Sequence, residues 1–219
     1  MSDIEPRVRP GDVVYATLKR RILLNELKPE AVLTELGIAA ELRCSQGTVR
    51  EALMKLREDG LVLRAGHRGG TSVTPLDADV AAEMLALRRR LETKAASRAA
   101  PALADDPAAL ARLEAIADAM DTAAARGDEA RLIERDTDFH MEIFRHAGYR
   151  ALDQILLRSI LHSHRQKLWE PRHRRPLAET AGRHRAILAA IPKGGLALAT
   201  ALGQHIDTIV DVGTARIAS

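Results

Sequence analysis

The sequence predicts a mainly α-helical chain, with an N-terminal winged helix-turn-helix over residues 1–75 and an all-α bundle of about six helices over residues 76–219. Three observations predict it. Alanine and leucine dominate while aromatics make up 2%, a balance that favours helix over strand. Between residues 33 and 74, two short apolar-periodic runs meet at a tight turn and lead into two β-branched runs around Gly66, Gly69 and Gly70, the pattern of a helix-turn-helix with a β-ribbon wing. From residue 77 onward the apolar spacing is helical throughout.

Each element has its own signal. Val14, Leu18 and Ile22 mark a helix over 13–25, stopped by Pro29. Thr34 can cap a second helix and Ser45 a third, which runs to about residue 59 with Gly60 at its end. Residues 61–64 and 71–74 read as the two strands. Six helices follow, over 77–103, 107–126, 128–147, 149–169, 177–191 and 196–217. Pro107, Gly127, Gly148, Pro192, Gly194 and Gly195 punctuate them. The domain boundary falls near residues 75–79.

Composition bounds the function. With 46% apolar and 29% charged residues the chain is an ordinary globular protein. A net charge of +3 and a pI of about 9.3 are compatible with nucleic acid without arguing for it. Cys44 is the only cysteine, so no internal disulfide forms; it reads as a small buried apolar residue in a reducing setting. No apolar run reaches bilayer-spanning length, and residues 1–12 lack the apolar core of a signal peptide. The expectation is a cytoplasmic protein with no membrane partner.

The third helix presents Gln46, Gly47, Thr48 and Arg50 near its start. Gln pairs bidentately with adenine, and Arg with guanine or a phosphate. Ser45, Thr48 and the helix-start N–H groups suit phosphate oxygens. Arg64, His67 and Arg68 belong to the wing, where cations meet the DNA backbone or minor groove. The pattern from Leu33–Thr34–Glu35 through Ser45 and Val49–Arg50–Glu51–Ala52–Leu53 to Gly60–Leu61–Val62 and Arg68–Gly69–Gly70 resembles the winged helix of the GntR family of bacterial transcription regulators. Arg50 matches a family DNA contact. Gln46 and Thr48 stand where the family usually has arginine and proline, which leaves the base preference open.

The helical half carries polar residues on apolar stripes. Asp136 and His140, at i and i+4, share the stripe of Leu132, Ile133, Phe139, Ile143 and Phe144. His184 joins Ile187, Leu188 and Ile191; His205 lies among Leu202, Ile206 and Ile209. One carboxylate and three imidazoles facing inward satisfy each other by binding one divalent metal. Nitrogens with one oxygen suit zinc, with nickel, manganese or iron as alternatives. This half resembles the FCD ligand-binding domain through Arg88 with Leu91–Glu92, Asp136-x-x-Phe139–His140, His184–Arg185–Ala186–Ile187 and His205–Ile206. The metal-binding branch of that family is similar at Asp136, His140, His184 and His205. Tyr149 and Gly195 depart from the family pattern at helix starts, where they bear on capping.

A metal with an open position attracts an anion, and a small organic acid is the natural effector. Arg88 and Arg165 can clamp it bidentately, and His162 is a further contact. Arg88 can equally be a surface member of the run Arg88–Arg89–Arg90, and Arg165 a solvated residue. Arg172, Arg174 and Arg175 read as a solvated connector and Trp169 as a packing anchor. The function implied is a ligand-responsive transcription regulator, a repressor acting as a homodimer on a pseudo-palindromic duplex operator. The competing reading is a metal-dependent hydrolase or lyase; the sequence offers no obvious general base beside the four ligands. A structural metal site in a constitutive DNA-binding protein is a third.

Overall fold

The computed structural model describes residues 9–64, 70–169 and 175–209. The chain divides at Leu76/Asp77 into two compact units. Among the described residues no helix is long and apolar enough to cross a membrane.

The N-terminal unit holds α1 (Pro10–Leu23), β1 (Val32–Leu33), α2 (Glu35–Leu42), α3 (Gln46–Glu58), β2 (Val62–Arg64) and β3 (Thr71–Val73). Val14, Leu18 and Ile22 bury one face of α1 against Val49, Ala52 and Leu56 of α3, a fit set by apolar residues four apart. The Thr34 hydroxyl accepts the Gly37 N–H at 3.1 Å and Ser45 accepts that of Thr48 at 3.1 Å, so both caps form as the sequence predicts. Arg43 takes φ 52° at the end of α2 and turns the chain into α3. The sheet has three strands where two were expected: β1 pairs antiparallel with β3, which pairs with β2, in the order β1-β3-β2. Two residues are too few to show alternation, which is why β1 escapes periodicity. Cys44 is half-buried rather than buried. His67 and Arg68 lie outside the described residues.

The C-terminal unit holds α4 (Ala78–Ala104), α5 (Pro107–Ala125), α6 (Glu129–His146), α7 (Asp153–Trp169), α8 (Leu177–Leu188) and α9 (Gly195–Asp207). α4 is the axis, packed against α6, α7 and α9. Its buried Ala95, Ala96, Ala99 and Ala100 let neighbouring backbones come close. Three expected helices are trimmed. The fourth opens with a 3₁₀ turn at Arg150–Leu152, the fifth ends at Leu188 before a 3₁₀ turn at Ile191–Lys193, and the last ends at Asp207; its expected stretch past residue 209 lies outside the described residues.

Two departures from the family pattern act through packing, not capping. Tyr149 makes no side-chain cap; its ring lies 4.9 Å from the Arg98 guanidinium carbon and 6.1 Å from the Phe144 ring. At Gly195 a Cβ would meet the Ser97 Cα at 2.6 Å, so α9 starts directly on the α4 backbone. Gly195→Ala is therefore expected to destabilise the chain by about 1–3 kcal/mol through overpacking. The measurement is a lower urea midpoint at unchanged m value.

Candidate metal centre and nucleic-acid interface

Asp136 and His140 sit one turn apart on the buried face of α6, His184 on α8 and His205 on α9. The fold brings the four together: one donor atom from each lies within 4.8 Å of the others, and all four side chains are buried. Donors bonded to one tetrahedral ion at about 2.0–2.2 Å lie about 3.5 Å apart, so side-chain shifts of under an ångström bring the four onto a single ion.

Hydrogen bonds fix which ring nitrogens face inward. His184 Nδ1 donates to the Thr180 carbonyl at 3.1 Å, which turns Nε2 toward the cluster. That nitrogen lies 3.1 Å from Asp136 Oδ1. His140 Nδ1 donates to Glu92 Oε2 at 2.5 Å, leaving its Nε2 opposite His205 Nε2 at 3.3 Å. Three ring nitrogens and a carboxylate oxygen thus converge in a buried site, where polar groups are costly unless compensated. One divalent cation compensates them, and this donor set fits zinc. Neutral imidazoles are the ligand form. Burial pushes the His140 and His205 rings below their usual range, His205 well below because His184 and His140 crowd it.

A supporting layer surrounds the four. Burial alone would raise Glu92, yet the charges of His140 and Arg88 and their hydrogen bonds hold it at about 2. Arg88, 0% exposed, donates from Nε to Glu92 Oε1 at 2.7 Å. Arg88, Glu92 and His140 thus form a chain that orients a candidate ligand, the arrangement common behind metal-bound histidines. His164 on α7 reaches Asp136 Oδ2 at 3.2 Å and Thr137 Oγ1 at 3.3 Å. Burial works against the Asp136 charge, and the His164 and His184 rings beside it hold its carboxyl well below the usual carboxylate range.

Two small adjoining cavities, of about 20 Å³ each, open beside the cluster. Asp136, His164, Lys167 and Arg175 line both; Arg88 and Arg183 line the second. Arg88 is a cavity residue and not part of a surface run, and its Nη2 makes no hydrogen bond among the described residues. Arg165 and His162 do not line these cavities. Arg165 is buried with its guanidinium carbon 4.3 Å from the Trp169 ring, and His162 Nδ1 is 3.5 Å from its Nη1. His164, two residues on, occupies the place expected of His162. Arg175 is not solvated connector: its side chain is largely covered and donates to the Thr208 carbonyl. Arg172 and Arg174 lie outside the described residues. Glu92 and His164 are the residues that sequence reasoning left without a role at the cluster; nothing local in the sequence says which helix faces meet.

In the N-terminal unit Gln46 is exposed at the start of α3, and Ser45 and Thr48 pair through their hydroxyls at 2.9 Å. Arg50 is held by Glu35 through two hydrogen bonds, Nε to Oε1 at 3.0 Å and Nη2 to Oε2 at 2.7 Å. A groove of about 370 Å³, lined by Glu35, Arg50, Met54, Arg57, Arg64 and Thr71 among others, runs between α3 and the wing strands.

Residues 10–73 match the family model described as bacterial regulatory proteins, gntR family, and residues 83–208 match that described as the FCD domain. A Streptomyces ambofaciens protein described as an uncharacterized HTH-type transcriptional regulator in unstable DNA locus is 28% identical over 203 residues, covering 90% of this chain and 82% of that one. Among solved structures, E. coli McbR/YncC has a TM-score of 0.75 at 22% identity, over 91% of this chain and 94% of that one. A putative transcriptional regulator GntR from Rhodococcus sp. RHA1 has a TM-score of 0.68 at 26% identity, over 92% and 96% of the two chains.

His184→Ala is expected to lower both bound metal per chain and the thermal midpoint. Glu92→Gln keeps the shape but weakens the acceptor behind His140, and metal affinity is expected to fall about 10–100-fold. Competition against a colorimetric chelator reads both; full metal content in the two variants would remove these residues from the centre.

Proposed function

We propose that this chain, which belongs to the GntR family of bacterial regulatory proteins and carries an FCD domain, is a ligand-responsive repressor released from DNA by a small carboxylate effector. In this reading residues 1–75 bind DNA, and residues 76–219 bind the effector and form the homodimer, in the cytoplasm. The observation that carries it is the convergence of Asp136, His140, His184 and His205 beside a cavity that buried Arg88 also lines.

Asp136, His140, His184 and His205 would hold zinc, with nickel, manganese or iron also suited to these donors. A bound ion supplies Lewis-acid charge and an open position for a carboxylate oxygen. Arg88 supplies the second anchor as a guanidinium lining the same space. On the DNA side, Gln46 and Arg50 face base edges, Ser45 and Thr48 lie at the helix start beside phosphate, and Arg64, His67 and Arg68 serve the wing. A two-fold dimer sets two such surfaces on a pseudo-palindromic operator, half-sites about one turn apart. The effector acts by its differential affinity for the DNA-competent and released forms.

The hydrolase reading is disfavoured by the supporting layer. Glu92 commits one oxygen to Arg88 and the other to His140, and His164 is engaged with Asp136 and Thr137.

The test uses an operator selected from random duplexes with the full chain. Small carboxylates are expected to weaken operator binding by the metal-loaded protein about 5–150-fold, and to leave the His184→Ala variant unmoved. Operator affinity is expected to fall linearly on a log–log plot as salt rises. Carboxylates that bind while operator affinity stays constant would overturn the regulatory reading.

A further inference from the structure

An arginine aimed at DNA faces a difficulty: its side chain is long and loses considerable entropy when fixed. Arg50 is already fixed. Its side chain is 63% exposed, yet it is tied to Glu35, itself 33% exposed, across the gap from α3 to α2. The tie uses one particular edge of the guanidinium, Nε–H and one Nη2–H, in a parallel two-bond fork. A guanidinium carries five N–H donors in fixed planar geometry. Engaging that edge leaves a second fork intact, one hydrogen on Nη1 and the other on Nη2, in the same plane and turned away from Glu35. A carboxylate in this groove is otherwise out of place. Glu35 is the only acid among the described residues lining it, beside Arg50, Arg57 and Arg64, and its charge repels the phosphates that those cations attract.

We propose that Glu35 is a positioning residue that aims the free fork of Arg50 at a guanine in the operator; this rests on the DNA-reading role proposed above. Two parallel N–H donors need two acceptors at matching spacing on one base edge. In the major groove only guanine offers that pair, O6 and N7. Glu35 weakens general attraction to DNA and contributes specificity, because a pre-oriented fork needs less ordering on the right base and finds one acceptor too few on the others. Thr34 caps the first turn of α2, so the carboxylate starts from a fixed backbone.

The experiment selects binding sites from a random duplex pool with the wild-type full chain, then measures affinity for the selected site, for the same site with the contacted guanine replaced by 7-deazaguanine, and for unrelated duplex. 7-Deazaguanine lacks only the N7 acceptor. Wild type is expected to select a guanine and to lose about fivefold or more in affinity on the 7-deaza site. Glu35→Gln, whose amide can accept from one N–H but opposes the other, is expected to bind unrelated duplex at least as well as wild type, to prefer the selected site less, and to lose sensitivity to 7-deazaguanine. Arg50→Lys, which has no fork, is expected to behave alike at the 7-deaza site while keeping phosphate attraction. A thermal melt shows that each variant is folded. Retention of the full 7-deaza penalty by Glu35→Gln overturns the positioning role. Equal losses on every duplex in Arg50→Lys, without discrimination, assign Arg50 to a phosphate and overturn the guanine contact. A wild-type chain that enriches no sequence overturns the DNA-reading function itself, and this inference with it.

Discussion

Burial alone would protonate Asp136, and what holds its carboxyl below the usual range is the pair of rings beside it, His164 and His184. His140 comes from its own helix, His164 from α7 and His184 from α8, while His205 of α9 closes the group through His140. Four helices thus meet at one charge, and Glu92 brings in α4 as a fifth. The apolar core around them, with Phe139 edge-on to both His140 and His184, excludes water and makes every electrostatic contact stronger. It also makes any uncompensated lone pair more costly. The bundle therefore carries at its centre a set of polar groups that needs compensation.

One motif of physical chemistry recurs in the two units. In the bundle, a carboxylate on α4 fixes the proton and orientation of His140 and leaves its other nitrogen facing the donor cluster. In the winged helix, a carboxylate on α2 fixes one edge of Arg50. Each acid takes one side of a two-sided group and so settles what the other side presents. The two differ in surroundings. Glu92 is buried, so its ties to His140 and Arg88 dominate its ionisation. Glu35 is in contact with solvent, where water screens the pair and the gain lies in geometry more than in energy.

The helices and caps were legible because they depend on neighbours in sequence: Thr34 and Ser45 cap through N–H groups three residues on, and Asp136 and His140 share a face because four residues make about one turn. The three inward histidine stripes could be read for the same reason. Contacts between helices could not. His164 and His162 both sit on the buried side of α7, and only packing decides that His164 meets Asp136 while His162 lies by Arg165. Arg175 read as solvent-facing because its flanks, Arg172 to Pro176, are polar and proline-bearing; its bond to the Thr208 carbonyl is a long-range event. The 3₁₀ turn at Arg150–Leu152 has no proline to announce it, whereas the break after α8 has Pro192 and Gly194. β1 exists only because β3 lies beside it.

α9 is fastened in three different ways along its length. Its first residue presses on α4 where no Cβ fits, His205 hangs from the donor cluster, and Asp207 holds Arg89 at the surface with bonds of 2.6 and 3.1 Å. The steric seat is insensitive to solution conditions, the surface pair yields to salt, and the His205 attachment answers to ion occupancy. His205 and Asp207 share the last turn of α9, so ion occupancy inside the bundle and ionic strength outside it act on the same end of the helix, while the first turn stays seated on α4.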